Sequence, residues 1–128
     1  MNCLLVFIGG GMGCVARYIF TTIEKNHINI NFPIATLTVN IIACFLMGIV
    51  MELLVEKFFP NAEQMRLLLA VGFLGGFSTL SALSVETLAL AYKHEILYAL
   101  LNVFANTAFG LVAAYLGEVF IKHMLSHY

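Results

Sequence analysis

The chain has 128 residues, of which 62% are hydrophobic and only 10% are charged, whereas soluble domains are about 45–50% apolar and about 25% charged. So few charges cannot cover the surface of a soluble fold, which excludes an ordinary soluble domain, a disordered chain and a coiled coil. Six Lys and Arg against seven Asp and Glu give a net charge of −1, which excludes a nucleic-acid binder and leaves an integral membrane protein.

Apolar runs divide the chain into four segments, each long enough to cross a bilayer. A hydrocarbon core of about 30 Å needs roughly 20 helical residues at about 1.5 Å each. Backbone groups in lipid must hydrogen-bond internally, and the runs lack the alternation of barrel strands. We therefore predict an all-α integral membrane protein with a single domain over residues 1–128. The predicted transmembrane helices cover residues 3–23, 33–54, 67–91 and 96–120.

The basic residues give little information about orientation. With four spans, both termini lie on one side of the membrane, together with Lys57, Arg66 and Lys122, while Lys25 and Lys93 lie on the other side. The positive-inside rule assigns no firm orientation from so small a difference. Weak signals in a small protein explain the balance, and so does a dual topology in which the chain inserts both ways and pairs antiparallel.

The first span combines a glycine cluster with a cation. Gly9 and Gly13 form a GxxxG motif, which lets another helix approach closely. We expect this face to serve the packing of an antiparallel dimer. Arg17 lies near the end of the span, where it is either a snorkelling side chain or a vestibular cation that attracts anions or pairs with a carboxylate such as Glu86.

The second and fourth spans each carry a polar stripe. Thr36 and Asn40 are four residues apart, as are Asn102 and Asn106, so each pair shares one helix face. An amide inside a span needs partners and therefore faces protein or water. These stripes either join helices by hydrogen bonds or line a pore, where an amide N–H donates without adding a full charge.

The third span contains a glycine-rich stretch followed by hydroxyl residues, between residues 72 and 84. Glycines followed by Ser and Thr indicate a helix end and then an N-cap, and the stretch lies near the middle of the span. A helix broken near the bilayer midplane is tolerated where it is buried or lines a cavity. The first half would then offer carbonyls to a cation and the second half N–H groups. The alternative is a kinked but continuous helix.

The chain shows no Ser/His/Asp order, no HExxH sequence and no Walker loop, which argues against an enzyme. Four stretches do stand out in order: the glycine cluster ending at Arg17, residues 33–40, residues 72–86 and residues 100–106. Together they resemble the Fluc/CrcB family of bacterial fluoride channels. The resemblance covers all four spans, and the third-span motif is its most specific part.

This resemblance implies a dual-topology, antiparallel homodimer in the bacterial inner membrane, with two fluoride pathways. It implies a central structural sodium ion held by the backbone carbonyls of Gly75 and Ser78 from both subunits. It places Arg17 in a vestibule. It also implies a set of pore-lining residues, which here are Thr36, Asn40, Leu80, Ser81, Leu83, Asn102 and Asn106.

The chain departs from the family at two of these positions. Leu80 and Leu83 stand where the family has phenylalanines, whose electropositive ring edges can face an anion, whereas leucine offers no such field. Either the pore is altered or engineered, or a partner subunit supplies the rings.

Three functions remain in competition. The first is a passive fluoride channel that exports the ion from the cytoplasm. The second is a small multidrug-type proton antiporter, which needs a membrane-centred carboxylate in the first span, where this chain has Arg17 and no acid. The third is a non-conducting assembly subunit. For the channel, the expected partners are fluoride, membrane lipid and a second copy of the chain, with no nucleic acid.

Overall fold

The computed structural model describes residues 2–27, 32–56 and 58–126, without the side chains of residues 25–27. Lys57, one of the basic residues used to weigh orientation, lies outside this part. The described residues form helices and short connections, with no strand among them. Four helical stretches are long and apolar enough to cross a membrane: Asn2–Glu24, Ile34–Val55, Ala62–Tyr92 and Ile96–Leu125. The prediction of an all-α chain with four membrane-spanning helices is confirmed.

Three of the spans are uninterrupted α-helices, and the third is composite. The uninterrupted helices are α1 (Asn2–His27), α2 (Ile34–Val55) and α6 (Ile96–Leu125). The third span consists of α3 (Ala62–Met65), a π-helical segment (Arg66–Leu74), α4 (Gly75–Phe77) and α5 (Leu80–Tyr92). In the π-helical segment the turns are wider, and the Gly75 N–H donates to the Ala70 carbonyl five residues earlier.

The short connections are consistent with local backbone preferences. The second span was predicted to begin at residue 33, and in the structure Pro33 directly precedes Ile34, the first residue of α2. There its fixed φ and missing N–H disturb no helical hydrogen bond. Between α5 and α6, His94 adopts a positive φ of 61°, and its N–H donates to the Ala91 carbonyl at 3.0 Å. This tight turn brings α6 back along α5.

Two helix pairs form the scaffold. In the first pair, α1 packs along the π-helical segment and α4. A Cβ atom at Gly9 would overlap the Leu68 carbonyl oxygen, and one at Gly13 would overlap the Phe73 carbonyl oxygen. The backbones therefore touch with no room for side chains, which is the close approach expected of GxxxG. Its partner, however, is the third span of the same chain, so our expectation that this face packs a dimer was wrong.

The second pair, α2 with α6, uses the same device. A Cβ atom at Gly117 would overlap the carbonyl oxygen of Phe45, and one at Gly48 would overlap that of Ala114. No sequence motif singles out these two glycines, because they are far apart in the chain and neither has another glycine four residues away. We call the two sets of contacts the α1 seam (Gly9, Gly13) and the α2–α6 seam (Gly48, Gly117).

Buried side chains lie where the helices face one another. Val39 and Ala43 of α2 pack with Phe77 of α4, and the Phe20 ring meets Phe77 edge-on at 6.5 Å between centroids. Large apolar side chains point outward elsewhere: Phe7 is 78% exposed and Leu111 is 70% exposed. Such continuous apolar exposure suits lipid or another membrane subunit rather than water.

The α1 seam predicts opposite effects for two glycines of the same helix. A methyl group at Gly13 would also lie 2.9 Å from the Phe77 nitrogen, so we expect Gly13→Ala to destabilise the fold by about 1–3 kcal/mol through overpacking. Gly11 has nothing within 4 Å of its Cβ position. Gly11→Ala is the matched control and should be neutral or stabilising by about 0.5–1 kcal/mol.

Thermal unfolding of the detergent-solubilised protein, followed by circular dichroism, measures this difference. A clear fall in the midpoint is expected for Gly13→Ala alone. Equal midpoints for the two variants would contradict the seam.

Candidate functional site

The interruption of the third span is the centre of the site. Ser78 (φ −71°, ψ 159°) and Thr79 (φ −152°, ψ 110°) have extended backbones between α4 and α5. A peptide group that leaves the helical pattern inside a membrane protein needs other hydrogen-bond partners. Asn40 of α2 supplies them for Thr79. Its Oδ1 accepts from the Thr79 N–H at 2.9 Å, and its Nδ2 donates to the Thr79 carbonyl at 3.3 Å.

Thr79 also caps the helix that follows. Its Oγ1 accepts from the Ala82 N–H at 3.2 Å and lies 3.2 Å from the Ser81 hydroxyl. A Thr side chain at this position satisfies one of the N–H groups that the first turn of a helix leaves without a partner. Thr79 is only 7% exposed, so this cap lies inside the protein.

These two side chains change which carbonyls of the third span are occupied. In an unbroken α-helix the Thr79 N–H would donate to the Gly75 carbonyl, and the Ala82 N–H to the Ser78 carbonyl. Here the first N–H donates to Asn40 Oδ1 and the second to Thr79 Oγ1. The carbonyls of Gly75 and Ser78 are thereby released from their usual helical donors, and they belong to the two residues expected to hold a cation.

The asparagines of α2 and α6 meet in the interior. Asn40 Nδ2 donates to Asn106 Oδ1 at 2.8 Å, and Asn106 Nδ2 donates to the Asn102 carbonyl at 2.9 Å and to Asn102 Oδ1 at 3.1 Å. Asn102 is fully buried and Asn106 is 7% exposed. Asn102 Nδ2 in turn donates to Thr87 Oγ1 at 3.1 Å. The amides therefore satisfy one another, and both Nδ2 hydrogens of Asn40 are used.

Thr36 and Arg17 lie apart from this group. Thr36 is 4% exposed, and its hydroxyl donates to Glu86 Oε1 at 2.8 Å. Arg17 Nη2 lies 3.8 Å from Cys14 Sγ. Within the described part of the chain no ion pair joins Arg17 to Glu86. The carboxylate bonds to a threonine of α2 instead.

The leucines at the two departing positions have different surroundings. Leu80 is 75% exposed, and Ser81 and Gly75 are also exposed, whereas Leu83 is buried at 9%. The residues expected to line a track therefore divide into a buried group and an exposed face. The buried group is Thr36, Leu83, Asn102 and Asn106, with Asn40 half-buried beside it.

Sequence reasoning missed the role of two residues. Thr87 Oγ1 accepts a hydrogen bond from the Asn102 amide, and the Thr87 hydroxyl donates to the Leu83 carbonyl at 2.7 Å. No sequence pattern links residues 87 and 102, because the contact depends on the turn at residues 93–95. Glu86 gave a usable signal, since a carboxylate within an apolar span is costly and needs a partner.

Comparison with known proteins gives one consistent result. The model of the family described as "CrcB-like protein, Camphor Resistance (CrcB)" matches residues 4–118. A protein of Solibacter usitatus (strain Ellin6076) named "Fluoride-specific ion channel FluC" is 37% identical over 122 residues, which cover 95% of this chain and 99% of that protein.

Two proteins from other sources carry the same name. That of Thermus thermophilus is 42% identical over 114 residues, covering 89% of this chain and 90% of the relative. That of Pyrococcus furiosus is 42% identical over 118 residues, covering 92% of this chain and 94% of the relative. The similarity therefore extends through all four spans.

Proposed function

The chain belongs to the CrcB family, and on that premise we propose that it is a fluoride-selective channel, not an enzyme, through which fluoride leaves the cytoplasm passively. The observation that carries the proposal is the end-to-end similarity to proteins named fluoride-specific ion channels. The four apolar spans make the chain a multi-pass membrane protein. We assign it to the bacterial inner membrane.

Selective passage of fluoride requires donors that replace its strongly held water. Asn40 is the central donor in our proposal, because its carboxamide lies at the interruption of the third span. Its bond to the Thr79 carbonyl is the longer of its two, at 3.3 Å against 2.8 Å to Asn106. An arriving fluoride ion accepts the Asn40 N–H in place of the Thr79 carbonyl, and the bond to Thr79 forms again when the ion leaves.

We propose the other lining residues with Asn40, on a track from the vestibule at Arg17. The hydroxyls of Thr36 and Ser81 provide further donors, the amides of Asn102 and Asn106 complete the lining through their bonds to Asn40 and to each other, and Leu80 and Leu83 provide aliphatic walls. Fluoride needs no ATP to leave: HF enters from an acidic exterior and dissociates inside, and the membrane potential then drives the anion outward.

The track of one chain is open on one side, which leads us to propose an antiparallel second copy. Leu80 is 75% exposed, and Ser81 and Ser84 are exposed beside it. A hydroxyl-bearing helix face is a poor lipid surface and a good protein surface. A second copy in the opposite orientation covers this face and supplies the missing walls, so that the pair carries two pathways.

We further propose that a sodium ion lies between the two copies. It is held by the carbonyls of Gly75 and Ser78, whose helical donors are diverted to Asn40 and Thr79. Carbonyl oxygens at the end of a half-helix suit a cation. The interruption is midway along the Ala62–Tyr92 span, so we place the ion near the bilayer midplane.

The proton-antiporter alternative has no support in the first span, where the only charged side chain before Glu24 is Arg17. In a non-conducting subunit, the hydrogen bonds that the Thr79 and Ala82 N–H groups make outside the helical pattern would have no function. Fluoride flux separates both alternatives from the channel.

The first prediction tests conduction through Asn40. Asn40→Asp removes the donor and places an acceptor in the track. Because a hydrogen bond to a charged group contributes about 1.5–3 kcal/mol, we expect fluoride efflux to fall by roughly tenfold to hundredfold. The measurement is fluoride efflux from liposomes, with chloride as the comparison ion. Asn61→Asp makes the same change at an exposed residue and should leave efflux intact. Equal efflux from both variants would remove Asn40 from the pathway.

The second prediction concerns sodium. If backbone carbonyls bind it, Ser78→Ala should keep the sodium dependence of fluoride efflux. Gly75→Val should abolish it: the chain itself has room for a side chain at this exposed glycine, so the added bulk enters the face where we place the second copy and the ion. Gly11→Val is the control, because that glycine lies in open space on α1. Loss of sodium dependence in Ser78→Ala would identify the hydroxyl as the ligand and contradict the assignment.

The third prediction concerns assembly. Several lysines added to the turn at residues 93–95 should fix one orientation through the positive-inside rule. Expressed alone, this form should lose fluoride efflux because it finds no antiparallel partner. Coexpression with a form locked in the opposite orientation should restore efflux. Full activity of one locked form alone would exclude the antiparallel pair.

A further inference from the structure

A single chain of hydrogen bonds links the interruption of the third span to a carbonyl four residues further on, by way of α2 and α6. We call it the asparagine relay. Its members in order are the Thr79 N–H, Asn40, Asn106, Asn102, Thr87 and the Leu83 carbonyl.

The relay has one direction. Each side chain accepts a hydrogen bond at its oxygen from the member before it, and each donates to the member after it. Its links measure 2.9, 2.8, 3.1, 3.1 and 2.7 Å. Aligned hydrogen bonds in a dry interior polarise and strengthen one another. Reversing one amide would bring two donors or two acceptors face to face, so the orientation of each asparagine depends on its neighbours.

Asn106 and Asn102 take part without touching the interruption themselves. Asn106 reaches Thr79 only through Asn40. Its Oδ1 is the acceptor that turns the Asn40 amide group toward α6, and this leaves Asn40 Oδ1 facing the Thr79 N–H. The capture of that N–H is what frees the Gly75 carbonyl from its helical donor.

We propose that Asn106 and Asn102 are positioning residues: through Asn40 they hold the Thr79 backbone in its extended form and keep the Gly75 carbonyl available to a cation. The effect on the backbone is independent of the transported ion. Its consequence for sodium and conduction rests on the function proposed above.

The test reads the Thr79 amide directly. The chain has few threonines, so protein labelled with isotopic nitrogen in threonine alone gives a simple amide spectrum in lipid nanodiscs. Asn106→Leu keeps the branched shape and the number of heavy atoms of the side chain and removes both hydrogen-bonding groups. We expect the Thr79 amide proton to shift upfield and to exchange with solvent about tenfold faster, which corresponds to the loss of one hydrogen bond of about 1.4 kcal/mol.

Two further variants separate the relay from general loosening. Thr107→Val alters the residue beside Asn106. The exposed hydroxyl of Thr107 donates to the Val103 carbonyl of its own helix. This variant should leave the Thr79 amide unchanged. Asn40→Ala should accelerate exchange at Thr79 as much as the double variant Asn40→Ala/Asn106→Leu, because the second change then has nothing left to act on. Unchanged exchange in Asn106→Leu, equal acceleration in Thr107→Val, or additive effects in the double variant each overturn the relay.

A functional measurement completes the test. With Asn106→Leu, the sodium concentration that gives half-maximal fluoride efflux should rise severalfold, and with Thr107→Val it should not. Faster exchange at Thr79 with an unchanged sodium requirement overturns the positioning role. If the unaltered protein carries no fluoride, the proposed function fails, and the Thr79 amide alone decides the relay.

Discussion

Inside a membrane, each backbone polar group that leaves a helix must find a partner within the protein, and the pairing of Asn40 with Thr79 meets this demand. The Asn40 carboxamide hydrogen-bonds to both the N–H and the carbonyl of Thr79. The neighbouring cap by the Thr79 hydroxyl then allows α5 to begin at once. Without these bonds the third span would be either continuous or unsatisfied, and the carbonyls at residues 75 and 78 would have no reason to be free.

The glycine seams make this pairing geometrically possible. Asn40 reaches Thr79 only because α2 and the third span are held at a fixed distance, with α1 seated on the π-helical segment and α6 on α2. Backbone contact at Gly13 and Gly117 leaves little freedom for sliding. The precision of a polar interior thus depends on residues that have no side chain, while the apolar exterior tolerates variation because lipid accommodates many shapes.

The sequence predicted what composition and local spacing encode. Long apolar runs gave four helices, and the i,i+4 stripes placed Asn102 and Asn106 on one face, which the structure buries. It could not give contacts between distant elements, such as Asn102 with Thr87 or Gly117 with Phe45. The predicted partner of the GxxxG face was wrong for the same reason, because the motif indicates that a helix packs closely but not which helix it is. The π-helical turns at residues 66–74 have no residue signature at all.

That π-helical segment has a consequence for how the chain tolerates insertions and deletions. A π-helical turn holds an extra residue relative to an α-helix, as the bond from the Gly75 N–H to the Ala70 carbonyl illustrates. If the same residues formed an α-helix, everything downstream would rotate by about 100° about the helix axis. Gly76 would then leave Gly10, and Thr79 would turn away from Asn40. Removing one residue between 66 and 74 would instead let the segment return to α-helix with the downstream orientation kept, so a single deletion is better tolerated in this apolar stretch than elsewhere in the span.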